Sequence, residues 1–430
     1  MRLESDIEAG PVREDELDTM LEIMCEAFEM PYAAARTIFY ADPYFSLPNK
    51  RVLRVGGRVV SCLTLIEAQC WIGKSIVPML GIAGVATLKV RRGRGYAGRL
   101  LEATLQDLRQ QGCAFTALIP FSFRYYRKFG WELAGLAYRV RVAPVQLRPS
   151  AEARRVRPAT DADVEPLRLL YARLTERRTF HCLRDAPRWR YILEHVKQSV
   201  VYEDNQGQIQ GYLLSELLPG RIEQLTPPVT LTPTLRILEL RSATPEAQRG
   251  LLGHLAEQRQ AGQILFTSTL EDLSACGLLS PDHAVNEGNT LGTVEIIPIM
   301  MTRIVRLRRM LETLLPNWAD IGVGEEWEVA RLEIRMSDPQ IPSGQERVVL
   351  AIRPEGGITL AEPPSRTRPE APAASIAGDV KTWSQVVAGY LGAEEACARG
   401  LLSASSGQVR TLATRLFPPR SPFLPAPDHF

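Results

Sequence analysis

The sequence has few of the residues that hold metals or build disulfide frameworks. Its 430 residues include seven scattered cysteines with no Cys-x-x-Cys pair, and five histidines that form no cluster of zinc-type spacing. An odd number of cysteines without a framework is typical of reduced thiols, which predicts a cytoplasmic protein. We therefore expect neither a bound metal nor structural disulfides.

The chain also lacks a charge excess and a long apolar run. Its net charge is +2, from 51 basic and 49 acidic residues, so no strong field points to nucleic acid or to an anionic membrane. The longest apolar run, residues 75–88, is short and interrupted by glycine and proline, which argues against a membrane span. The acidic first residues show no signal-peptide core. Nucleic acid and membrane are therefore not expected as partners.

One turn carries the strongest chemical signal. Residues 85–90 predict a buried strand, and a helix with an apolar face is predicted to run to about Gln111. Between them lies Arg92-x-x-Gly95-x-Ala97, where glycine lets the backbone approach a ligand and the first helical turn offers N–H groups to a pyrophosphate. An ordinary turn or a nucleic-acid patch is the alternative. The spacing fits neither a Rossmann fingerprint nor a Walker loop.

A second motif follows further along the chain. The segment Tyr126-x-x-Phe129-Gly130-Trp131 predicts a short helix that ends at Gly130 and leads into a strand. A phenol with a pKa near 10 is able to protonate a thiolate as it leaves, which suits Tyr126 to act as a general acid. The alternative is a buried tyrosine with a satisfied hydroxyl.

Together these motifs resemble those of the GNAT acetyltransferases, which bind acetyl-coenzyme A. The resemblance implies a mixed, mostly antiparallel sheet with flanking helices. It also implies that main-chain N–H groups of the turn hold the pyrophosphate, that the preceding strand pairs with the pantetheine arm, and that Tyr126 is the general acid. The implied cofactor-binding residues are Val85, Ala86, Thr87, Arg92, Gly93, Arg94, Gly95, Tyr96 and Ala97.

The pattern restarts after a predicted linker over residues 143–155. Residues 163–171 repeat the spacing of residues 16–24, 147 positions earlier, and strands follow as before. Matching the apolar pairs of the two later helices places Glu246 where Gly95 stands, and a carboxylate there would repel pyrophosphate. We therefore predict a degenerate second copy that binds no coenzyme A.

The composition changes near residue 300. A helix is predicted from Met300 to about Leu315, followed by strands, an exposed loop over residues 362–373, two helices and a proline-rich tail. This part resembles a sterol carrier protein domain. The predicted fold class is α+β to α/β, with tandem GNAT folds and a third α+β domain. The predicted domains are residues 1–145, 153–299 and 300–430.

This arrangement resembles the Eis-like N-acetyltransferases. The resemblance implies that the C-terminal carboxylate of Phe430 enters the active site as general base. It also implies a hexamer and acceptor amines such as aminoglycosides, polyamines or lysine side chains. Prolines restrict the unfolded tail, which lowers the entropy lost on docking. A frayed tail is the alternative.

Three further choices stay open. His429 precedes the terminal phenylalanine, so its imidazole is an alternative general base. Glu22 and Glu26 of the first helix either face a cationic acceptor or form a solvated face. The alternative function is a lipid or apolar-ligand binding protein with a non-catalytic coenzyme A site.

Overall fold

We describe the fold from a computed structural model of the chain. The structure describes residues 7–222, 229–230, 232–278, 294–321, 329–353, 356–361 and 374–429. The predicted loop over residues 362–373 and the terminal Phe430 lie outside the described residues. Within these described ranges, no helix has the length and apolar character that a membrane crossing needs.

The first unit, residues 7–142, places helices on both faces of a sheet. Its strands are β1 (Ile7–Pro11), β2 (Lys50–Val55), β3 (Arg58–Ile72), β4 (Ser75–Thr87), β5 (Phe115–Leu118) and β6 (Glu132–Val142). Its helices are α1 (Leu17–Phe28), α2 (Tyr32–Ala41), α3 (Tyr96–Gln110) and α4 (Phe123–Arg127). Apolar residues of α1 pack on one face and those of α3 on the other, because successive strand residues point to opposite faces.

The second unit, residues 156–278, repeats this order. Its strands are β7 (Val156–Pro158), β8 (Gln198–Glu203), β9 (Ile209–Leu218), β10 (Arg221–Ile222), β11 (Val229–Thr230), β12 (Thr234–Ser242) and β13 (Gln263–Ser268). Its helices are α5 (Val164–Thr175), α6 (Ala186–His195), α7 (Pro245–Ala256) and α8 (Leu270–Ala275). Helices α1 and α5 have equal lengths and begin 147 positions apart, which confirms the predicted restart.

In the part of the chain that the structure describes, one sheet of twelve strands runs through both units. Its order is β1-β2-β3-β4-β5-β14-β6-β13-β12-β9-β8-β7, where β14 is Glu295–Ile304. Strand β14 follows the second unit in sequence but pairs with β5 and β6 of the first. Strand β6 pairs in turn with β13. The first sheet is therefore completed by a strand from much later in the chain.

The predicted helix from Met300 is wrong at its start. Strand β14 continues to Ile304, and helix α9 (Leu307–Leu314) begins only after it. The apolar residues up to Ile304 include several β-branched side chains, which suit a buried strand, whereas helical spacing starts at Leu307. The predicted boundary between residues 299 and 300 consequently falls inside a strand.

The third unit, residues 307–429, has its own five-stranded sheet in the order β17-β16-β15-β18-β19. The strands are β15 (Arg331–Ser337), β16 (Gln345–Ile352), β17 (Ile358–Ala361), β18 (Ser375–Asp379) and β19 (Ser403–Ala404). Besides α9, the helices are α10 (Val380–Val387), α11 (Ala393–Ala398) and α12 (Gly407–Leu416). Its core is continuous with apolar residues of β3, β4 and β5.

A buried arginine joins the first and third units. Arg303 on β14 is 2% exposed and donates through Nε to the carbonyl oxygen of Phe129 at 2.6 Å. Its Nη2 donates to the fully buried carboxylate of Asp338 at 2.9 Å. Gly130, at φ 89°, permits this approach, because a Cβ there would lie 3.0 Å from Arg303 Nε. The pair therefore fixes the loop after α4 against the third unit.

We predict that Asp338→Asn destabilises the protein by about 3–5 kcal/mol, because the buried Arg303 charge would lose its partner. The change would be measured as a lower Tm in thermal unfolding. The matched control is Glu312→Gln, which removes surface ion pairs with Arg308 and Arg309 and should leave Tm nearly unchanged. Equal Tm values for the two variants would contradict the role of the buried pair.

Candidate active site

Strands β4 and β5 form the frame of the candidate site. They run parallel and pair only over residues 80–82 and 116–118, after which β5 ends and β4 continues to Thr87. In this continuation β4 has a bulge, where Gly84 and Val85 face the single residue Leu63 of β3. A bulge bends the strand and disrupts its ladder. The backbone of β4 beyond residue 82 therefore has an open edge on the β5 side, as a ligand that pairs with a strand requires.

The turn after β4 leads to an uncapped helix N-terminus. Helix α3 begins at Tyr96 with Gly95 as its N-cap residue, and no side chain among the described residues caps it. Gly93 and Gly95 have φ values of 77° and 78°, and a Cβ at either position would meet nothing within 4 Å. Arg99 N makes the first helical bond, to Gly95 O at 3.0 Å. The N–H groups of the first turn that precede Arg99 have no partner within the helix and are available to an anion.

The other predicted cofactor-binding residues differ in whether their backbone or their side chain is available to a ligand. The side chain of Ala86 is buried on the α1 face, so only its backbone is available, and Thr87 Oγ1 lies 2.9 Å from Ser61 Oγ. Val85 is partly buried on the α3 face. Arg92 and Arg94 are exposed beside the turn, and Arg92 Nε donates to Thr87 O at 3.1 Å. Tyr96 and Ala97 form the first turn of α3.

The two glutamates of α1 differ in what they contact. Glu26 Oε2 accepts a hydrogen bond from Lys89 N at 2.8 Å, at the start of the turn. This hydrogen bond ties α1 to the turn after β4. Glu22 lies on the exposed face of the same helix.

Tyr126 is buried at the start of the segment after β5. It lies in α4, whose N-cap Ser122 accepts from Tyr125 N at 3.3 Å. Tyr126 is 3% exposed, and its ring centroid lies 5.2 Å from those of Phe121 and Tyr125. Burial raises the pKa of Tyr126 well above its ordinary value, so the phenol keeps its proton at neutral pH.

Close packing joins the two sequence motifs. A Cβ on Gly98, in the first turns of α3, would lie 3.0 Å from the ring of Phe129. Tyr125 packs edge-to-face against the same ring, with the ring centroids 5.4 Å apart. The small size of Gly98 thus lets the helix that starts at the anion site pack directly on the Tyr126 segment.

The second unit retains the diverging strands but closes the helix N-terminus. Strands β12 and β13 are parallel and pair only up to Ile237, where β12 has a bulge. The N-cap of α7 is Thr244, whose Oγ1 accepts from Ala247 N at 3.1 Å, and Pro245 has no N–H group. The prediction that Glu246 takes the place of Gly95 is therefore wrong by two positions. The helix begins at the threonine because its hydroxyl caps it.

The second unit also lacks the tyrosine. Helix α8 corresponds to α4, since both follow the parallel strand, begin at a capping hydroxyl and end before a glycine of positive φ. Counted from the caps Ser122 and Thr269, Leu273 stands where Tyr126 stands in the first unit. Leu273 is 2% exposed and has no proton to donate. The sequence signals for this equivalence are the capping hydroxyl and the glycine that stands eight positions after it.

The described part of the C-terminal tail is packed on the second unit, in contrast to the frayed alternative. Phe423 N donates to Thr179 O at 3.1 Å, and Arg188 Nη2 donates to Pro427 O at 2.9 Å. The carboxylate of Asp428 accepts from Arg184 at 2.8 and 2.9 Å. These tail contacts, which the sequence did not predict, reach the second unit and not Tyr126.

His429 has a defined tautomer in this arrangement. Its Nε2 lies 3.1 Å from Leu424 O, which only accepts hydrogen bonds. In the neutral ring Nε2 therefore carries the proton, and Nδ1 is the basic nitrogen.

Three models of protein families match the chain. The acetyltransferase (GNAT) domain matches residues 8–134 and, in a second model, residues 181–307. The chain belongs to the GNAT acetyltransferases. It is an acyltransferase, with acetyl-coenzyme A as the implied cosubstrate, and the open N-terminus of α3 fits its pyrophosphate. A sterol carrier protein domain matches residues 319–425, which gives the GNAT protein an Eis-like order of domains.

Solved structures share this fold over the whole chain. A GCN5-related N-acetyltransferase from Anabaena variabilis has a TM-score of 0.77 at 20% identity, and a probable N-acyltransferase from Enterococcus faecalis has 0.76 at 19%. Eis1 from Mycobacterium abscessus has 0.67 at 17%. Each comparison covers 99% of this chain and 100% of the other, and identities this low establish the fold alone. A search of curated protein sequences found no match.

We predict that Gly95→Val weakens acetyl-coenzyme A binding by at least about tenfold. A β-branched residue at φ 78° is strained and would displace the first N–H groups of α3 from the anion. Isothermal titration calorimetry would give the dissociation constant. The control is Gly400→Val, at φ 71° and equally open, which carries the same strain far from the turn. Equal affinities in both variants would argue against an anion site at Gly95.

Proposed function

We propose that the first unit transfers an acetyl group from acetyl-coenzyme A to a primary amine, and that each chain has one active site. The observation that carries this proposal is the combination of the uncapped helix at Gly95 with the buried, protonated Tyr126. The two lie on elements that pack together at the diverging strands β4 and β5. The second unit keeps the strands but has Thr244 and Leu273 at the corresponding positions.

The reaction needs two proton transfers, one to the departing thiolate and one from the attacking amine. The amine nitrogen bonds to the thioester carbon, and the bond between carbon and sulfur breaks. Tyr126 gives its proton to the departing thiolate, and main-chain N–H groups near Val85 polarise the carbonyl. The proton that the amine loses goes to the carboxylate of Phe430 or to Nδ1 of His429.

The direction of the tail supports a base from the C-terminus. Strand β12 runs antiparallel to β4. This direction follows from the pairing of the strands that lie between them in the sheet, β5, β14, β6 and β13. Asp428 is tied through Arg184 to Glu239. The pKa of the next tail residue, His429, is lowered by burial and also by the charge of Arg236, which lies three residues closer to the start of β12. The tail therefore advances toward the end of the sheet at which β4 reaches Thr87.

The remaining expectations concern the acceptor and the assembly. Aminoglycosides, polyamines and lysine side chains are the candidate amines, and a panel of these acceptors would separate them. Trp318, Trp383 and Phe417 pack into the core of the third unit, so its described residues do not favour the alternative of an apolar-ligand carrier. The hexamer and the cytoplasmic location stay predictions, and light scattering would test the former.

We predict that Tyr126→Phe lowers kcat by about 10²-fold or more, because the thiolate would leave without a proton. The acid form of Tyr126 is the active one, and its pKa is raised. Its contribution should therefore persist as pH rises to 10 and disappear only above that value. Rates of thiol release from pH 7 to 10 would test this, with Tyr125→Phe as the control. Unchanged turnover in Tyr126→Phe would remove this residue from the mechanism.

We predict that one glycine added after Phe430 lowers kcat by about 10²-fold, because it moves the terminal carboxylate away from the amine. The acetyl-coenzyme A dissociation constant should not change. Full activity of the extended chain would exclude the carboxylate as base and leave His429.

A further inference from the structure

We propose that the second unit is a clamp for the C-terminal tail, in which Arg184 and Asp428 are positioning residues for the active site of the first unit. The clamp consists of Arg184, Glu239 and Asp428. This inference rests on the proposed function for its catalytic consequence. The clamp itself is argued from contacts within the second unit and the tail.

The first argument is the burial of the ion pair. The side chain of Arg184 is fully buried, and that of Asp428 is 3% exposed. Arg184 Nε donates to Oδ1 at 2.9 Å and Nη2 to Oδ2 at 2.8 Å, a two-point contact that fixes orientation as well as distance. A tail without a function has no need to bring a charged residue into the interior, since desolvation of both charges is costly.

The second argument is that Arg184 is itself held in place. Its Nη1 donates to Glu239 of β12 at 2.7 Å. Its guanidinium carbon lies 4.0 Å from the ring centroid of Tyr171 and 5.2 Å from that of Trp189. Arg184 has a carboxylate on each side and aromatic rings beside it, so little freedom is left for Asp428.

The third argument is charge balance. Glu239 also faces Arg241 at 3.5 Å, and Asp272 accepts from Arg241 at 2.7 Å. Arg178 completes the network with a bond to Asp272 at 2.6 Å. The neighbouring His181 is neutral, because burial and the Arg241 charge lower its pKa. Arg188 also lies 4.0 Å from Asp428. Four arginines thus meet three carboxylates, and the tail supplies one of the three.

The fourth argument is the place of the clamp in the fold. Glu239 and Arg241 lie on β12 beyond its bulge, on the half of the strand that diverges from β13. This half corresponds to the part of β4 beyond residue 82. Phe423 and Pro425 of the tail, together with β12 and β13, line the small cavity that remains there. The tail therefore occupies the cleft that the first unit keeps open.

The last step connects the clamp to the chemistry. Asp428 precedes the terminal residue by two positions, and an extended chain covers about 7 Å over that length. The group at the chain end is therefore confined near a fixed point. Misplacement of a reacting group by about 1 Å is enough to cost about 10²-fold in rate.

The test compares the buried aspartate of the tail with a buried aspartate of the second unit. Asp428→Asn should lower kcat by about 10²-fold with the acetyl-coenzyme A KM unchanged, and Asp428→Glu should recover part of the loss. The matched control is Asp163→Asn, since Asp163 is 3% exposed and bonds Arg157 at 2.8 Å away from the tail. It should lower Tm but keep kcat. Equal losses of kcat in both asparagine variants would overturn the positioning role.

Hydrogen exchange tests the clamp without using activity. In the unmodified protein, amides of residues 423–429 should exchange as slowly as those of the strands in the second unit. Exchange as fast as in a free peptide would overturn the clamp. Asp428→Asn should speed exchange in the tail alone. If that variant does not fold, Arg188→Gln removes the bond to Pro427 O and should have the same effect in smaller degree.

The two readouts separate this proposal from the proposed function. If the glycine extension keeps full activity while Asp428→Asn releases the tail and lowers kcat, the carboxylate is not the base but the clamp stands. If Asp428→Asn releases the tail and kcat is unchanged, the positioning role is wrong. If the tail stays protected in Asp428→Asn and in Arg188→Gln, the clamp is wrong.

Discussion

The hydrogen bonds that hold β14 between β5 and β6 are the constraint on which the rest of the structure depends. They place the strand that follows the second unit inside the sheet of the first. As a result β6 is free to pair on its other edge with β13, and one sheet spans both units. The same strand carries Arg303, which ties the loop after Tyr126 to the third unit through Asp338. The three units are therefore joined by strand pairing and buried contacts, and they are not separate domains connected only by linkers.

Within this framework the two GNAT units differ at the two places that the proposed reaction uses, which are the helix N-terminus and the position of the tyrosine. The first unit leaves its helix N-terminus uncapped at Gly95, which costs helix stability but leaves N–H groups available to a ligand. The second unit caps the same position with Thr244 and places Leu273 where a tyrosine would stand. A unit that no longer needs an open site is able to fill its cleft with another part of the chain. The tail and its ion pair with Arg184 fill this one.

Local signals in the sequence predicted much of the fold and part of the site. Short-range spacing predicted the glycine-rich turn before α3 and the short helix that contains Tyr126, and the structure has both. The same kind of spacing, repeated 147 residues later, predicted helix α5. Three errors arose where a short-range pattern had more than one interpretation. The strand predicted over residues 85–90 ends at Thr87, and Lys89–Arg91 form a short 3-10 helix instead. The apolar run before Ile304 fits a strand or a helix, and tertiary pairing decides for the strand. Matching leucines between α3 and α7 misplaced the N-cap, because a helix starts where its first N–H groups find an acceptor.

The sequence by itself determined the family, the order of the units and the residues of the glycine-rich turn, because backbone conformation and capping depend on near neighbours. Only the tertiary structure decided which strand completes the first sheet and which side chains meet in the buried ion network. Arg184 and Asp428 are 244 positions apart. No local pattern distinguishes a buried arginine from the many exposed ones in this chain. Its role becomes visible only when burial removes water and leaves the carboxylates of Glu239 and Asp428 as its partners.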